Sequence, residues 1–132
     1  MKNEKLGFLF LRIAIGLNIM IHGGIRFGSN YGKFVSYIHT TFENSPLPLF
    51  IVTPFAYLIP IWEFIVGLLL IIGLKTRLAA VAGMILMIIL MSGTAITQNW
   101  NNVGIQMLYI LCYYVLIIKL DNNVMSVDNI KK

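Results

Sequence analysis

The feature that most constrains this chain is the presence of two charged residues inside long apolar runs. Arg12 lies in the run from Leu6 to Ile25, and Glu63 lies in the run from Leu47 to Leu74. A charge at the centre of a bilayer costs roughly 2.5–3.5 kcal/mol on insertion scales, so such residues normally face the interior of a helix bundle and pair there. The pattern predicts a membrane bundle with a polar interior around Arg12 and Glu63.

Composition supports a membrane protein. The 132-residue chain is 58% hydrophobic and 11% charged, whereas a soluble domain carries about 25% charged residues. No Asp, Glu, Lys or Arg occurs from Leu78 to Ile118, which is long enough for two spans of about 20 residues each. We therefore predict an all-α integral membrane protein, a single domain over residues 1–132.

Apolar runs and turn signals divide this domain into a four-transmembrane-helix bundle. The predicted spans are approximately residues 6–25, 47–74, 78–97 and 103–118. The segment Tyr31–Phe42 has apolar residues at helical spacing but is too short and too polar to cross the bilayer. It predicts a short interfacial helix between spans one and two, whose functional role would be to cap the mouth of the bundle. Residues 119–132 predict a loose, polar, cytoplasmic tail.

The distribution of basic residues predicts the orientation. The net charge is +5, but the basic residues lie mostly at the ends of apolar runs rather than along one face, which argues against nucleic-acid binding. Two of them, Arg26 and Lys33, fall on one side of the predicted topology. Seven fall on the side of the termini: Lys2, Lys5, Lys75, Arg77, Lys119, Lys131 and Lys132. The positive-inside rule then predicts an inner-membrane protein with both termini in the cytoplasm.

Helical phase indicates which spans are neighbours. Span one carries one stripe of residues at i, i+4, i+7, i+11 and i+14, namely Arg12, Gly16, Ile19, Gly23 and Arg26. A comparable stripe in span two consists of Pro60, Glu63, Gly67 and Leu70. Small residues on both stripes allow the backbones to approach closely. Arg12 and Glu63 are predicted at depths of roughly 9 and 16 Å, a difference that an arginine side chain can span, so we predict a buried Arg12–Glu63 pair.

A second polar layer is predicted nearer the opposite face of the membrane. It comprises His22, Tyr57, Gln98 and Gln106. Side chains of these types could hydrogen-bond the carbonyl groups of a quinone, or they could be helix-end residues that satisfy one another. The histidines and carboxylates show no familiar metal-ligand spacing, and the single cysteine, Cys112, cannot form an internal disulfide.

The order of these features resembles the DoxX family of small four-helix membrane proteins. The matching residues are Leu-Arg-Ile-Ala-Ile-Gly over 11–16, His-Gly at 22–23, and the stretch from Pro60 to Ala80 with its Gly-Leu-Lys-Thr-Arg turn. The resemblance covers roughly Leu6–Met91 and implies an inner-membrane bundle. It also implies a redox association, because the family takes its name from a subunit of an archaeal thiosulfate:quinone oxidoreductase and relatives have thiol and sulfur redox partners. Arg12, His22 and Glu63 match the family's polar pattern.

Three functions fit these observations. The first is the membrane subunit of a quinone-linked thiol or sulfur oxidoreductase, with Glu63 as the best candidate for proton transfer and quinone as the only cofactor. The chain has no cofactor motif of its own, so electrons would come from a partner protein. The second is a non-catalytic anchor or assembly factor, and the third is a small transporter component. Membrane lipid and either a protein partner or a second copy of the chain are the expected contacts.

Overall fold

The protein is described here by a computed structural model that covers residues 1–130. Four of its helices are long and apolar enough to cross a membrane: α1 (Asn3–Gly24), α3 (Leu49–Ile72), α4 (Thr76–Ile96) and α5 (Trp100–Ile118). Helix α2 (Ser29–Phe42) lies between the first two, and a 3₁₀ turn (Leu120–Asn122) and α6 (Val127–Ile130) follow α5. No strand occurs within residues 1–130. The predicted all-α, four-span bundle is confirmed.

The four long helices form a closed ring. Helix α1 packs against α3, α3 against α4, α4 against α5, and α5 against α1. Helices α3 and α5 therefore face each other across the axis of the bundle. Helix α2 packs on α3. We call the end that carries the N-terminus, the α3–α4 turn and residues 119–130 the termini end, and the end that carries α2 and the α4–α5 turn the opposite end.

The contact between α1 and α3 depends on glycine. A methyl group added at Gly16 would lie 2.9 Å from the carbonyl oxygen of Gly67, and one added at Gly67 would overlap the backbone of Met20. One added at Gly23 would overlap the carbonyl oxygen of Pro60. The backbones of α1 and α3 thus touch along the two stripes of small residues. These stripes predict that spans one and two are neighbours, and the structure has them so.

The α3–α4 turn packs against α1 and the C-terminal segment, residues 119–130. Gly73 ends α3 with φ of 69°, a conformation that favours glycine. Its missing side chain also leaves room for the guanidinium of Arg12 and for Ser126, both of which would overlap an added Cβ atom.

The prediction of a loose tail was wrong for the C-terminal segment, which docks on the termini end. The carboxylate of Asp128 accepts hydrogen bonds from the backbone N–H groups of Lys75 (2.7 Å) and Thr76 (2.8 Å), and its own N–H donates to the carbonyl of Gly73 (3.0 Å). Asn123 donates to the hydroxyl of Thr76 (3.0 Å). Asp128 thus caps α4 from more than fifty residues away, a contact that no local pattern predicts. Residues 131 and 132 of the predicted tail lie outside the described residues.

The cap makes the C-terminal segment sensitive to acid. Partial burial acts to raise the pKa of Asp128, but hydrogen bonds from Thr76 and Lys75, together with the charge of Arg12, outweigh burial and lower this pKa below its ordinary value. A carboxyl whose pKa is lowered on folding contributes stability above its ordinary pKa and loses that contribution as the pH falls through the lowered value.

We predict that Asp128→Ala detaches the C-terminal segment. Loss of a capping carboxylate costs about 0.5–2 kcal/mol, so amide hydrogen exchange over residues 119–130 should become faster in the variant at neutral pH. The difference from wild type should shrink as the pH falls through the lowered pKa of Asp128. Asp121→Ala, a change at an exposed carboxylate, is the control. Equal protection of the segment in wild type and Asp128→Ala would contradict the docked arrangement.

We also predict that two glycine-to-alanine changes differ in their effect on the free energy of unfolding. Gly67→Ala should lower the free energy of unfolding by about 1–3 kcal/mol, the usual cost of overpacking, because the new methyl group meets the backbone of α1. Gly104→Ala has no atom within 4 Å of the new Cβ, so it should be neutral or stabilise α5 by about 0.5–1 kcal/mol. Thermal unfolding in detergent compares the two, and equal midpoints would rule out the close α1–α3 contact.

Candidate functional site

The centre of the candidate site is an ion pair between Glu63 and Arg26. Glu63, on α3, is only 2% exposed, and its Oε2 accepts a hydrogen bond from Nη1 of Arg26 at 2.5 Å. Arg26 lies just beyond the end of α1, and its guanidinium lies 4.3 Å from the centroid of the Phe34 ring on α2, a cation–π contact. One side chain therefore connects α1, α2 and α3 at the opposite end.

The predicted pair of Arg12 with Glu63 was wrong. Arg12 is buried, but it donates from Nη2 to the carbonyl oxygen of Met125 (3.0 Å) and packs against Gly73 and Ser126 at the termini end. The physical reason is the direction of the side chain, because long side chains on a helix lean towards its N-terminus. That direction takes Arg12 away from Glu63, whereas Arg26 follows the end of the helix and is free to fold back.

A cavity of about 650 Å³ extends from this ion pair towards the opposite end. Ligand sites in proteins commonly measure about 300–1,000 Å³. Its polar lining includes Glu63, Arg26, His22, Gln106 and Tyr109, and its walls are mainly apolar side chains from helices α1 to α5. Since His22 is exposed, it lies at the rim. Such a cavity can hold an apolar molecule that carries a few polar atoms.

Helix α2 forms one wall of this cavity. Phe34, Tyr37, Ile38 and Phe42 all line it, and the Phe42 ring reaches α4, where it lies 3.1 Å from the position of a Cβ atom at Gly93. The short helix between spans one and two therefore also caps the mouth of the bundle.

The structure brings together three of the six predicted site residues. His22, Glu63 and Gln106 line the cavity, whereas Arg12 lies at the termini end. Tyr57 is 53% exposed and stacks on Tyr31 with ring centroids 5.9 Å apart, outside the cavity lining. Gln98 is exposed beyond the end of α4 and does not line the cavity either.

Sequence reasoning missed two other contributors. Arg26 shares the stripe of Arg12, but its charge was assigned to membrane orientation alone. Tyr109 lines the cavity and its hydroxyl donates to Oδ1 of Asn18 (2.9 Å), which joins α5 to α1. The helical phase of α5 could have found it, because Tyr109 lies one turn after Gln106.

One polar side chain that is only partly hydrogen-bonded completes the site. Gln106 donates to the hydroxyl of Thr94 (3.0 Å), while its buried Oε1 has no hydrogen-bond partner. Within residues 1–130, no group of three His, Cys, Asp or Glu side chains is arranged to hold a metal ion. The free acceptor of Gln106 marks a position where a ligand can donate a hydrogen bond.

Comparison with known proteins identifies the family. The DoxX family model matches residues 7–100, which include α1 to α4 and both members of the Glu63–Arg26 pair. The chain belongs to the DoxX family. The resemblance seen in the sequence over roughly Leu6–Met91 is thereby confirmed. Neither the curated proteins nor the solved structures contain a significant match to this chain.

We predict that Glu63 is energetically coupled to Arg26 and not to Arg12. Breaking one partner of a buried ion pair costs about 3–5 kcal/mol, so Glu63→Gln and Arg26→Gln should each destabilise the protein, and the double variant should lose much less than the sum. The matched cycle of Glu63→Gln with Arg12→Gln should be additive within about 0.5 kcal/mol, since the two sites share no partner. Unfolding in mixed micelles measures both cycles. A coupling energy between Glu63 and Arg12 would contradict this prediction and support the Arg12–Glu63 pair predicted from the sequence.

Proposed function

We propose that this DoxX protein is the membrane subunit of a quinone-linked oxidoreductase system, and that a quinone headgroup binds in the cavity beside Glu63 and Arg26. The observation that carries the proposal is a buried ion pair that borders an otherwise largely apolar cavity. Intramembrane ionisable residues commonly mark a functional path or binding site.

The chemistry of the cavity suits a quinone. A quinone presents two carbonyl oxygens, which accept hydrogen bonds, on an apolar ring. Arg26 and the amide of Gln106 are donors on the cavity wall, and Phe34 and Ile59 provide apolar surface for the ring. After reduction, the quinol hydroxyl groups become donors, and the free Oε1 of Gln106 can accept from one of them.

Glu63 is the group best suited to move protons. Reduction of a quinone to a quinol takes two electrons and two protons. Arg26 binds Oε2 of Glu63, which leaves Oε1 for the ligand or for water. The electrons would come from a partner protein, because the sequence carries no cofactor motif. Family membership favours a partner with thiol or sulfur redox chemistry.

The distribution of basic residues favours the inner membrane, with both termini in the cytoplasm. Five basic residues belong to the termini end: Lys2, Lys5, Lys75, Arg77 and Lys119. Arg26 and Lys33 belong to the opposite end, and Arg26 is committed to Glu63. Under the positive-inside rule, the termini end is then the cytoplasmic end. The cavity accordingly lies in the half of the bilayer away from the cytoplasm.

We predict that quinone co-purifies with the wild-type protein and that cavity variants lose it. The protein is affinity-purified in mild detergent, and mass spectrometry measures its lipids, quinones and protein partners together. Glu63→Gln and Gln106→Ala should reduce bound quinone at least about tenfold, the effect of losing about 1.4 kcal/mol of binding free energy. Gln98→Ala is the matched control, because Gln98 is exposed and lies outside the cavity lining.

Two results would overturn the proposal. Unchanged quinone in both cavity variants would exclude this cavity as the binding site. A protein that carries phospholipid alone and retains its partners in Glu63→Gln would favour the anchor or assembly function.

A further inference from the structure

A second cavity lies at the termini end, and the proposed function does not use it. It measures about 730 Å³, within the range of cavities that bind ligands. It lies between the start of α4 and the docked C-terminal segment, whereas the cavity beside Glu63 extends towards the opposite end. No residue lines both cavities, so the second one is a separate candidate site.

The wall that α4 contributes changes from charged to apolar along the helix. Lys75 and Arg77, at the start of α4, are followed by Leu78 and, one turn further on, by Val81. The change takes six residues, or about 9 Å at 1.5 Å per residue. The stretch without charged residues begins at Leu78, which is 59% exposed, so the edge of the hydrocarbon core at this end lies there. A charged rim above exposed apolar side chains suits a molecule with a polar head and an apolar chain.

The charged side chains of the cavity are available to a ligand. Lys75, Arg77 and Asp121 are exposed, and their side chains form no ion pair or hydrogen bond with other residues in 1–130. The first N–H groups of α4 are different, because the carboxylate of Asp128 already accepts hydrogen bonds from Lys75 and Thr76. An anionic group in this cavity would therefore bind the two basic side chains rather than the end of the helix.

The balance of charge favours a headgroup that carries both signs. Lys75 and Arg77 are matched by two carboxylates in the cavity lining, Asp121 and Asp128. A purely anionic headgroup would meet as many carboxylates as cations, and juxtaposed like charges are unfavourable. A zwitterionic headgroup instead finds an opposite charge for each of its own.

The residue types on the cavity wall also distinguish between two zwitterionic headgroups. Quaternary ammonium groups such as choline are typically bound by aromatic rings, and no aromatic residue among the described ones lines this cavity. A primary ammonium group has three N–H donors, and the exposed carboxylate of Asp121 can accept from it. The lining therefore suits ethanolamine better than choline.

We propose that this cavity binds the phosphoethanolamine headgroup of a membrane phospholipid. The phosphate binds the side chains of Lys75 and Arg77, and the ammonium group binds the carboxylate of Asp121. The acyl chains follow the exposed apolar side chains of Leu78 and Val81 into the bilayer. The inference does not depend on the proposed quinone site.

Competition between phospholipids tests the headgroup. The full-length protein is exchanged into mixed micelles that contain equal amounts of phosphatidylethanolamine, phosphatidylcholine and phosphatidylglycerol with identical acyl chains, and native mass spectrometry measures which lipid stays bound. Wild type should retain phosphatidylethanolamine about two- to fivefold more than either of the others, the effect of one exposed ion pair.

Two sets of variants separate the phosphate contacts from the ammonium contact. Lys75→Asn combined with Arg77→Gln should reduce retained phosphatidylethanolamine roughly tenfold, because two ion pairs are lost. Asp121→Asn should retain phospholipid but lose the preference for phosphatidylethanolamine over phosphatidylglycerol. Lys2→Gln is the matched control, because Lys2 is an exposed cation at the same end and lies outside the cavity lining.

A stability measurement excludes misfolding as the cause of lost lipid. Lys75 has φ of 48°, a left-handed conformation that asparagine adopts more readily than lysine. Lys75→Asn should therefore not lower the unfolding midpoint in lipid-free detergent. Asp121→Asn should leave that midpoint unchanged as well, because Asp121 has no partner among the described residues.

Three results would overturn the proposal. Equal retention of the three lipids by wild type, or unchanged retention in the combined Lys75 and Arg77 variant, would exclude this cavity as a phospholipid site. A preference for phosphatidylglycerol would show that the site takes an anionic headgroup instead. Displacement of the lipid by an equal concentration of soluble glycerophosphoethanolamine would exclude a contribution of Leu78 and Val81 and identify a site for a free phosphate ester.

Discussion

The arrangement of the whole bundle depends on the close backbone contact between α1 and α3. Glycine at positions 16, 23 and 67 lets the two helices touch over several turns. Lipid chains are as apolar as leucine side chains, so close packing rather than a hydrophobic effect drives helix association in a membrane. This contact fixes the rotation of α1, and that rotation turns the stripe which carries Arg12 and Arg26 towards the interior.

One stripe therefore serves two different polar sites. The interior of a membrane bundle must satisfy each buried cation locally, since no bulk water is available there. Arg12 donates from Nη2 to a main-chain carbonyl of the C-terminal segment, while its Nε and Nη1 have no partner among the described residues, and Arg26 pairs with Glu63. The C-terminal segment thus packs on Arg12 at the termini end, whereas the cavity beside Glu63 extends towards the opposite end.

Helical periodicity and charge patterning were sufficient to predict the fold. Four apolar runs, a short amphipathic helix and two stripes of small residues define which helices exist and that α1 and α3 touch. The partner of Glu63 could not be chosen this way, because Arg12 and Arg26 lie on the same stripe and phase does not distinguish them. Two structural features distinguish these arginines as partners of Glu63. The Arg12 side chain leans towards the N-terminus of α1, and Arg26 follows the end of α1. Depth alone likewise placed Tyr57 and Gln98 in the polar layer, but a residue must also face inwards, and these two face outwards.

The position of α2 gives the cavity its chemical character. Its aromatic face covers the Glu63–Arg26 pair, and the Phe34 ring lies against the guanidinium. Glu63 is 2% exposed and Arg26 is 27% exposed, so the carboxylate is removed from bulk water, where its electrostatic contacts are stronger, while its partner is not. Under the proposed function, this carboxylate would exchange a proton with the ligand while Arg26 retains its charge. The apolar walls in turn favour a ligand that arrives from the lipid phase, which is the property a membrane quinone and a lipid share and a water-soluble metabolite lacks.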